Sequence, residues 1–180
     1  MKIIGKGNVC LNTWHEGHFH HLYPLANNPN IAKNLRDSFP SPYTIHDARH
    51  WIEHNQKFNP PQNFAIEYDG KLAGSVGCEI GKNELRTNME IGFWVAESFW
   101  GKGIASQAVQ LFVEYALEKF PEIKRIYSQV YDFNIPSMKV LENAGFEPEA
   151  ILRHAFIKNG RVGDLFQYVM IREEVEKYFD

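Results

Sequence analysis

The chain is poor in cysteine and contains no long apolar run. Cys10 and Cys78 are the only two thiols in 180 residues, and they have no C-x-x-C spacing. Two cysteines are too few for a disulfide scaffold, so buried or idle reduced thiols of a cytosolic protein are expected. No apolar stretch approaches the roughly 18 residues of a membrane span, and the opening MKIIGKGN lacks the apolar centre of a signal peptide. A cytoplasmic protein without a membrane partner is the expectation. Net charge is also small. The formal net charge is −3 with no long block of one sign, which argues against a duplex-binding face and removes nucleic acid from the expected partners. Internal repeats and low-complexity tracts are absent, and the Pro/Asn-rich patches at 27–30, 39–42 and 59–63 are short enough to be loops.

What is present suits one globular domain over residues 1–180, with 44% hydrophobic and 23% charged residues. A first strand is expected at 9–13, short helices at 16–27 and 29–37, and a longer helix capped by Thr44 or Asp47. After Pro60 and Pro61 the period changes to two. Phe64, Ile66 and Tyr68 alternate, Asp69-Gly70 is a hairpin turn, and Leu72, Gly74, Val76, Cys78 and Ile80 continue the alternation. Met89, Ile91, Phe93 and Val95 form a further strand, whose other face carries Glu90. Residues 103–120 are an amphipathic helix, with Ile104, Ala108, Leu111, Phe112 and Tyr115 on one side. A strand at 125–131 precedes a helix with Asn134 as N-cap, Pro136 in its first turn and Gly145 as its stop. Strands from 146 and at 165–171 flank an Asn159-Gly160 turn. The order predicts an α/β (α+β) fold: a mixed, mostly antiparallel sheet of six to seven strands flanked by helices.

Chemistry concentrates in ESFWGKGIASQAV, residues 97–109, between a strand and the long helix. Gly101 and Gly103 bracket Lys102 at the helix start. Unpaired amides and the positive end of the helix dipole make such a place fit to hold a phosphate, and glycines let it approach. A tight turn with no ligand is the competing reading. The dinucleotide fingerprint fails because Ser106 stands where a third Gly or Ala belongs. The P-loop pattern fails because no Ser or Thr follows Lys102.

Four ordered segments, EIGFWV at 90–95, FWGKGIASQAV at 99–109, DFNIPSMKVLENAGF at 132–146 and RHAFIKNGRVGDLFQYVMI at 153–171, resemble the GNAT acyl-CoA-dependent N-acetyltransferases. They resemble in particular the ribosomal-protein N-terminal (RimJ/RimL-like) branch. The resemblance spans about residues 63–171. It implies acetyl-CoA as co-substrate, no metal, and an amine acceptor, either a protein or peptide N-terminus or a small molecule. It further implies that Trp94, Val95, Trp100, Gly101, Lys102, Gly103, Ile104, Ala105, Ser106 and Asn134 hold the cofactor. Backbone amides near Trp94 and Val95 would face the thioester oxygen, and Ser137 would donate to the leaving thiolate. Two departures stand out: Trp100 replaces a frequent Gln or Arg, and Leu141 replaces a tyrosine that many members use as general acid.

An α-amine, with a pKa of about 8, is partly neutral near pH 7, whereas a lysine amine is almost wholly charged, so a base matters more for the second. Glu90 is the candidate base, and a solvent-facing or merely amine-binding carboxylate is its alternative. Asn134 is a helix cap that the resemblance also places on the pantetheine arm. Ser137 is either a donor to sulfur or a first-turn helix residue. Neither cysteine has a partnered base, so direct transfer in a ternary complex is expected. A noncatalytic acyl-CoA-binding module on the same fold is the competing class. A homodimer is left open.

Other features are declined. His50 to His54 spell H-x-x-E-H, the letters of an inverted zinc peptidase, without a recognisable third ligand. His15, His18, His20 and His21 read as polar surface. Trp14, Tyr23, Phe39, Tyr43 and Trp51 are core residues before they are cleft residues. Asp164 is expected to fix a hairpin, and Tyr168 faces either core or cofactor.

Overall fold

Asp69 and Gly70 both take positive φ, 50° and 73°, as a two-residue hairpin turn requires, and join β3 (Asn63–Tyr68) to β4 (Lys71–Ile80). This hairpin is the middle of a single sheet in the computed structural model, which describes residues 1–5 and 7–172. Among those residues, β1 (Lys2–Ile4), β2 (Val9–Thr13), β5 (Asn88–Val95), β6 (Arg125–Tyr131), β7 (Glu147–Lys158) and β8 (Arg161–Ile171) complete eight strands. Their order is β1-β2-β3-β4-β5-β6-β8-β7. Every pairing is antiparallel except β5 with β6.

The mixed sheet with flanking helices is as expected, but eight strands replace the expected six or seven. The extra one is β1, a three-residue edge strand on β2 that is too short to show a period. The alternation expected along β4 also breaks. A bulge opposite Ile66 and Glu67 shifts the register, so Leu72 lies in a different apolar cluster from Val76 and Cys78. At the other end, β8 begins at Arg161, earlier than the expected 165.

Helices cover both faces. On one, α4 (Ile104–Lys119) lays Ile104, Ala108, Phe112 and Ala116 against Phe64, Ile66, Val76 and Ile91. On the other, α1 (Phe19–Ala26) and α3 (Ile45–Asn55) pack Leu22, Ala48 and Ile52 over Trp14, Ala65 and Leu72. Thr44 caps α3, with Asp47 closing a capping box. The expected helix at 29–37 shortens to α2 (Pro29–Ala32), so residues 33–43 become a connector between α2 and α3. Asn134 caps α5 (Ile135–Asn143), and Gly145 ends it at φ 91°. Cys10 and Cys78 are both buried and free.

Candidate active site

The site begins where two neighbouring strands part. β5 and β6 pair only from Asn88 with Arg125 to Glu90 with Tyr127, although β5 continues to Val95 and β6 to Tyr131. Beyond that pairing, Ser128 Oγ donates to the Ile91 carbonyl at 3.0 Å. The backbone of residues 92–95 then borders a gap. Ala96 N bonds Ala73 O on the β4 side, so strand alternation turns Trp94 toward β4 and Phe93 and Val95 toward the gap. The Val95 carbonyl is occupied by Trp100 Nε1 at 2.6 Å. The open edge therefore presents the amides of Phe93 and Val95. Phe93 was missed in the sequence, although the same alternation points to it. Trp94 contributes its ring instead, which meets Phe39 at 6.2 Å on the opposite face.

The open end of the gap leads to the start of α4. Gly101 and Gly103 have φ of 75° and 70°, and Gly103 is the N-cap without any side-chain cap bond. The amides of Ile104, Ala105 and Ser106 in the first turn are thus left for a ligand. No side chain would obstruct a Cβ at Gly101, so its glycine is demanded by the left-handed backbone. Ile104 is buried and offers only its amide. Lys102 folds its ammonium over Phe99 and Tyr68, 5.4 and 5.7 Å from the ring centroids. Its place in the loop supplies backbone more than charge. Trp100 remains 46% exposed, fastened by its indole nitrogen.

On the other face of β5 lies a cleft of about 760 Å³. Glu90 lines it with a side chain 19% exposed. Burial raises its pKa, and the ion pair with Arg36 opposes that rise. Tyr127 Oη lies 3.5 Å from Glu90 Oε2, and Glu79 is the direct cross-strand neighbour of Glu90. Ser137 and Asn134 line the same cleft. The Asn134 side-chain oxygen accepts from Ser137 N at 3.3 Å, which leaves the amide nitrogen outside the cap. Arg36 was not anticipated, since it lies 54 residues from Glu90 with no periodic link. Tyr127 follows from the parallel register once β6 is placed.

The remaining expectations divide. Leu141 is fully buried, and Tyr168 is a core residue whose hydroxyl donates to Glu142 at 2.9 Å. Asp164 is structural: its Oδ1 accepts from His154 N at 2.8 Å, across an irregularity where His154 takes φ 50°. Tyr43, Phe39 and Trp51 pack in the second cluster and also line the cleft, whereas Tyr23 is exposed.

His18 corrects the reading of the histidine run as surface. It is 5% exposed and lies over β3, where its Nε2 meets Glu67 Oε1 at 3.2 Å. His15, His18 and Glu67 form the one group of three metal-ligating types among the described residues. Their facing atoms are already committed. His15 Nδ1 accepts from Gly17 N, His18 Nδ1 from His15 N, and Glu67 takes Lys2, Asn12, Cys10 and His18. His50 and His54 stack at 6.2 Å and belong to no such group.

Residues 8–147 match the family described as Acetyltransferase (GNAT) domain. The chain belongs to the GNAT acetyltransferase family. One GNAT relative is the putative ribosomal N-acetyltransferase YdaF of Bacillus subtilis, 33% identical over 109 residues, or 61% of this chain and 58% of that one. The chain thus spans less than two thirds of that relative's length. The spermidine N(1)-acetyltransferase of Escherichia coli K12 is 26% identical over 145 residues, covering 78% and 74%. Among solved structures, RimL, a ribosomal L7/L12 α-N-protein acetyltransferase in complex with coenzyme A, superposes with TM-score 0.81 at 21% identity, over 95% of this chain and 98% of that one. That likeness carries the fold.

Proposed function

We propose that this GNAT domain moves an acetyl group from acetyl-CoA to a primary amine by direct attack in a ternary complex, a protein or peptide N-terminus being preferred over a small amine. The observation that carries this reading is the parting of β5 and β6 beside the uncapped start of α4. It puts a slot for an extended ligand arm next to unsatisfied amides suited to a pyrophosphate.

The chain's own groups divide the work. The amides of residues 101–106 bind the phosphates, and the amide of Asn134's side chain meets the arm. The Val95 amide, with Phe93 beside it, faces the oxygen that gains charge during attack. Glu90, with a raised pKa, accepts the proton of the incoming ammonium directly or through water. Nitrogen bonds the acyl carbon as the carbon–sulfur bond breaks, the second nitrogen proton passes through water to the thiolate leaving toward Ser137, and Glu90 releases the first to solvent. Burial pushes Cys78 up to about 12 and also raises Cys10, so neither supplies a thiolate for a covalent route.

Calorimetry with acetyl-CoA, paired with thiol release across N-terminal peptides, polyamines and amino acids, tests the reading. Binding with turnover by at least one amine is expected, and Gly103→Val is expected to weaken binding tenfold or more while the protein still melts cooperatively. No binding heat in the wild type overturns the proposal. Binding without thiol release from any amine makes the domain an acyl-CoA-binding module.

A further inference from the structure

Lys158 is 8% exposed, and a buried ammonium is costly unless it is well partnered. Its partners lie 121 and 123 residues away. Its Nζ donates to the Leu35 carbonyl at 2.5 Å and pairs with Asp37 Oδ1 at 2.8 Å. Tyr131 Oη approaches the same carbonyl at 3.5 Å, and the ammonium sits 5.7 Å from the Tyr131 ring. The β7–β8 hairpin therefore grips the connector 33–43 at the residues directly before and after Arg36.

Arg36 is the side chain that this grip aims. Its guanidinium spans the cleft mouth to Glu90, and Glu79 lies beside Glu90 on the same face. With Asp47 also lining the cleft, its carboxylates outnumber the one guanidinium, which suits an ammonium. A guanidinium carries five N–H donors in a rigid fork, and the contact to one Glu90 oxygen leaves others for a second acceptor oxygen. An amine bound at Glu90 and Glu79 would find those donors within the reach of a neighbouring carbonyl group.

We propose that Arg36 selects acceptors whose amine lies next to a carbonyl or carboxylate oxygen, an α-aminoacyl group, and that Lys158 is the positioning residue that holds it there. The assignment rests on the N-acetyltransferase reading and adds the chemical feature that its acceptor carries. Peptide N-termini and free amino acids share that feature; polyamines lack it.

The test compares kcat/KM for phenylalaninamide, free phenylalanine and an Ala-Ala-Ala peptide against phenethylamine and spermidine, with thiol release as the readout. Taking each variant's ratio of carbonyl-bearing to bare amine cancels the acceptors' own basicities. Arg36→Gln is expected to lower that ratio about 10- to 100-fold, mainly through the KM of the carbonyl-bearing acceptors. Lys158→Met is expected to lower it in the same direction, and Lys158→Arg to restore part of it. A strut needed only for stability would move the melting temperature without moving the ratio. Asp37→Asn gives the same reading if Lys158→Met fails to fold. The peptide and the free amino acid then distinguish the two sources by which one responds more strongly to Arg36→Gln. An unchanged ratio in Arg36→Gln, with turnover retained, overturns the assignment and leaves the acetyltransferase reading standing. A wild-type protein that acetylates no amine overturns both.

Discussion

Glu67 and Glu90 are largely buried carboxylates on strands of one sheet, yet their surroundings drive them in opposite directions. Burial alone pushes the pKa of Glu67 up, but hydrogen bonds from Asn12, Lys2, His18 and Cys10 outweigh it and bring the pKa down to about 2. At Glu90 burial wins. Arg36 opposes it, Glu79 adds repulsion, and the Tyr127 contact is long. The number and quality of donors, rather than depth, separates a carboxylate that ties strands together from one that can exchange a proton. The region under His18 is saturated, and the cleft region is left partly unsatisfied.

Glu90→Gln probes that difference with the largest expected effect. It should lower kcat/KM by about 10²- to 10⁴-fold, the range of general base catalysis, in thiol-release assays with a saturating donor. Because a raised carboxylate pKa means that ionisation is disfavoured by the fold, removing the charge should leave the melting temperature unchanged or higher at pH 7. A loss below tenfold would demote Glu90 to a binding charge.

Glu67→Gln should do the reverse. A carboxyl held at about 2 against an ordinary 4.5 contributes about 2 to 3 kcal/mol at neutral pH, the half-exposed Lys2 partner being discounted. That stability is present above pH 4.5 and is lost as pH falls toward 2. Denaturant unfolding at pH 7 should show the deficit, with little change in kcat at temperatures where the variant stays folded. A variant as stable as wild type at pH 7 but catalytically dead would exchange the roles assigned to the two carboxylates.

His18 extends the contrast at a milder pH. Burial is the main force holding its pKa below 6.5, with Glu67 acting against it. The neutral ring, with its proton on Nε2, donates to Glu67 while Nδ1 accepts from His15 N. Its contribution is complete above pH 6.5 and falls as pH drops toward the depressed value, because the unfolded chain takes up the proton first. His18→Gln should therefore flatten the decline in melting temperature below pH 6.5. An identical slope in wild type and variant would remove His18 from the account.

The two regions also differ in how far they could be read from the sequence. The end proposed to hold phosphate is local. Trp100 to Ser106, the α4 pattern and the Asn134 cap are contiguous signals, and each took its expected place in the fold. Glu90 was placed on the correct face by alternation alone, as Met89, Ile91 and Val95 became core. The acceptor side is assembled from Arg36, Glu79, Tyr127 and Lys158, whose meeting depends on sheet order and on a connector that the sequence pattern suggested as helix. The Glu67 cluster escaped for the same reason. Cys10 and Glu67 meet only in the β2–β3 register, His18 comes over them from the segment after β2, and Lys2 arrives on the edge strand β1, whose three residues carry no periodic signal.

Arg36 gives the finest test of the contrast, since its charge is the main feature that moves Glu90 part of the way toward the state of Glu67. Its positive charge favours the carboxylate, so its loss in Arg36→Gln should raise the Glu90 pKa further. A base must be deprotonated to act, and the acid limb of the kcat/KM profile reports that group in the free enzyme. The limb should shift to higher pH in Arg36→Gln, and Lys158→Met should shift it the same way by loosening the connector. Phenethylamine is the acceptor to use, because it lacks the oxygen assigned to Arg36 and so separates proton transfer from recognition. A limb that stays in place would mean that Glu90 is screened from Arg36 during turnover, and that the ion pair opens before the base works.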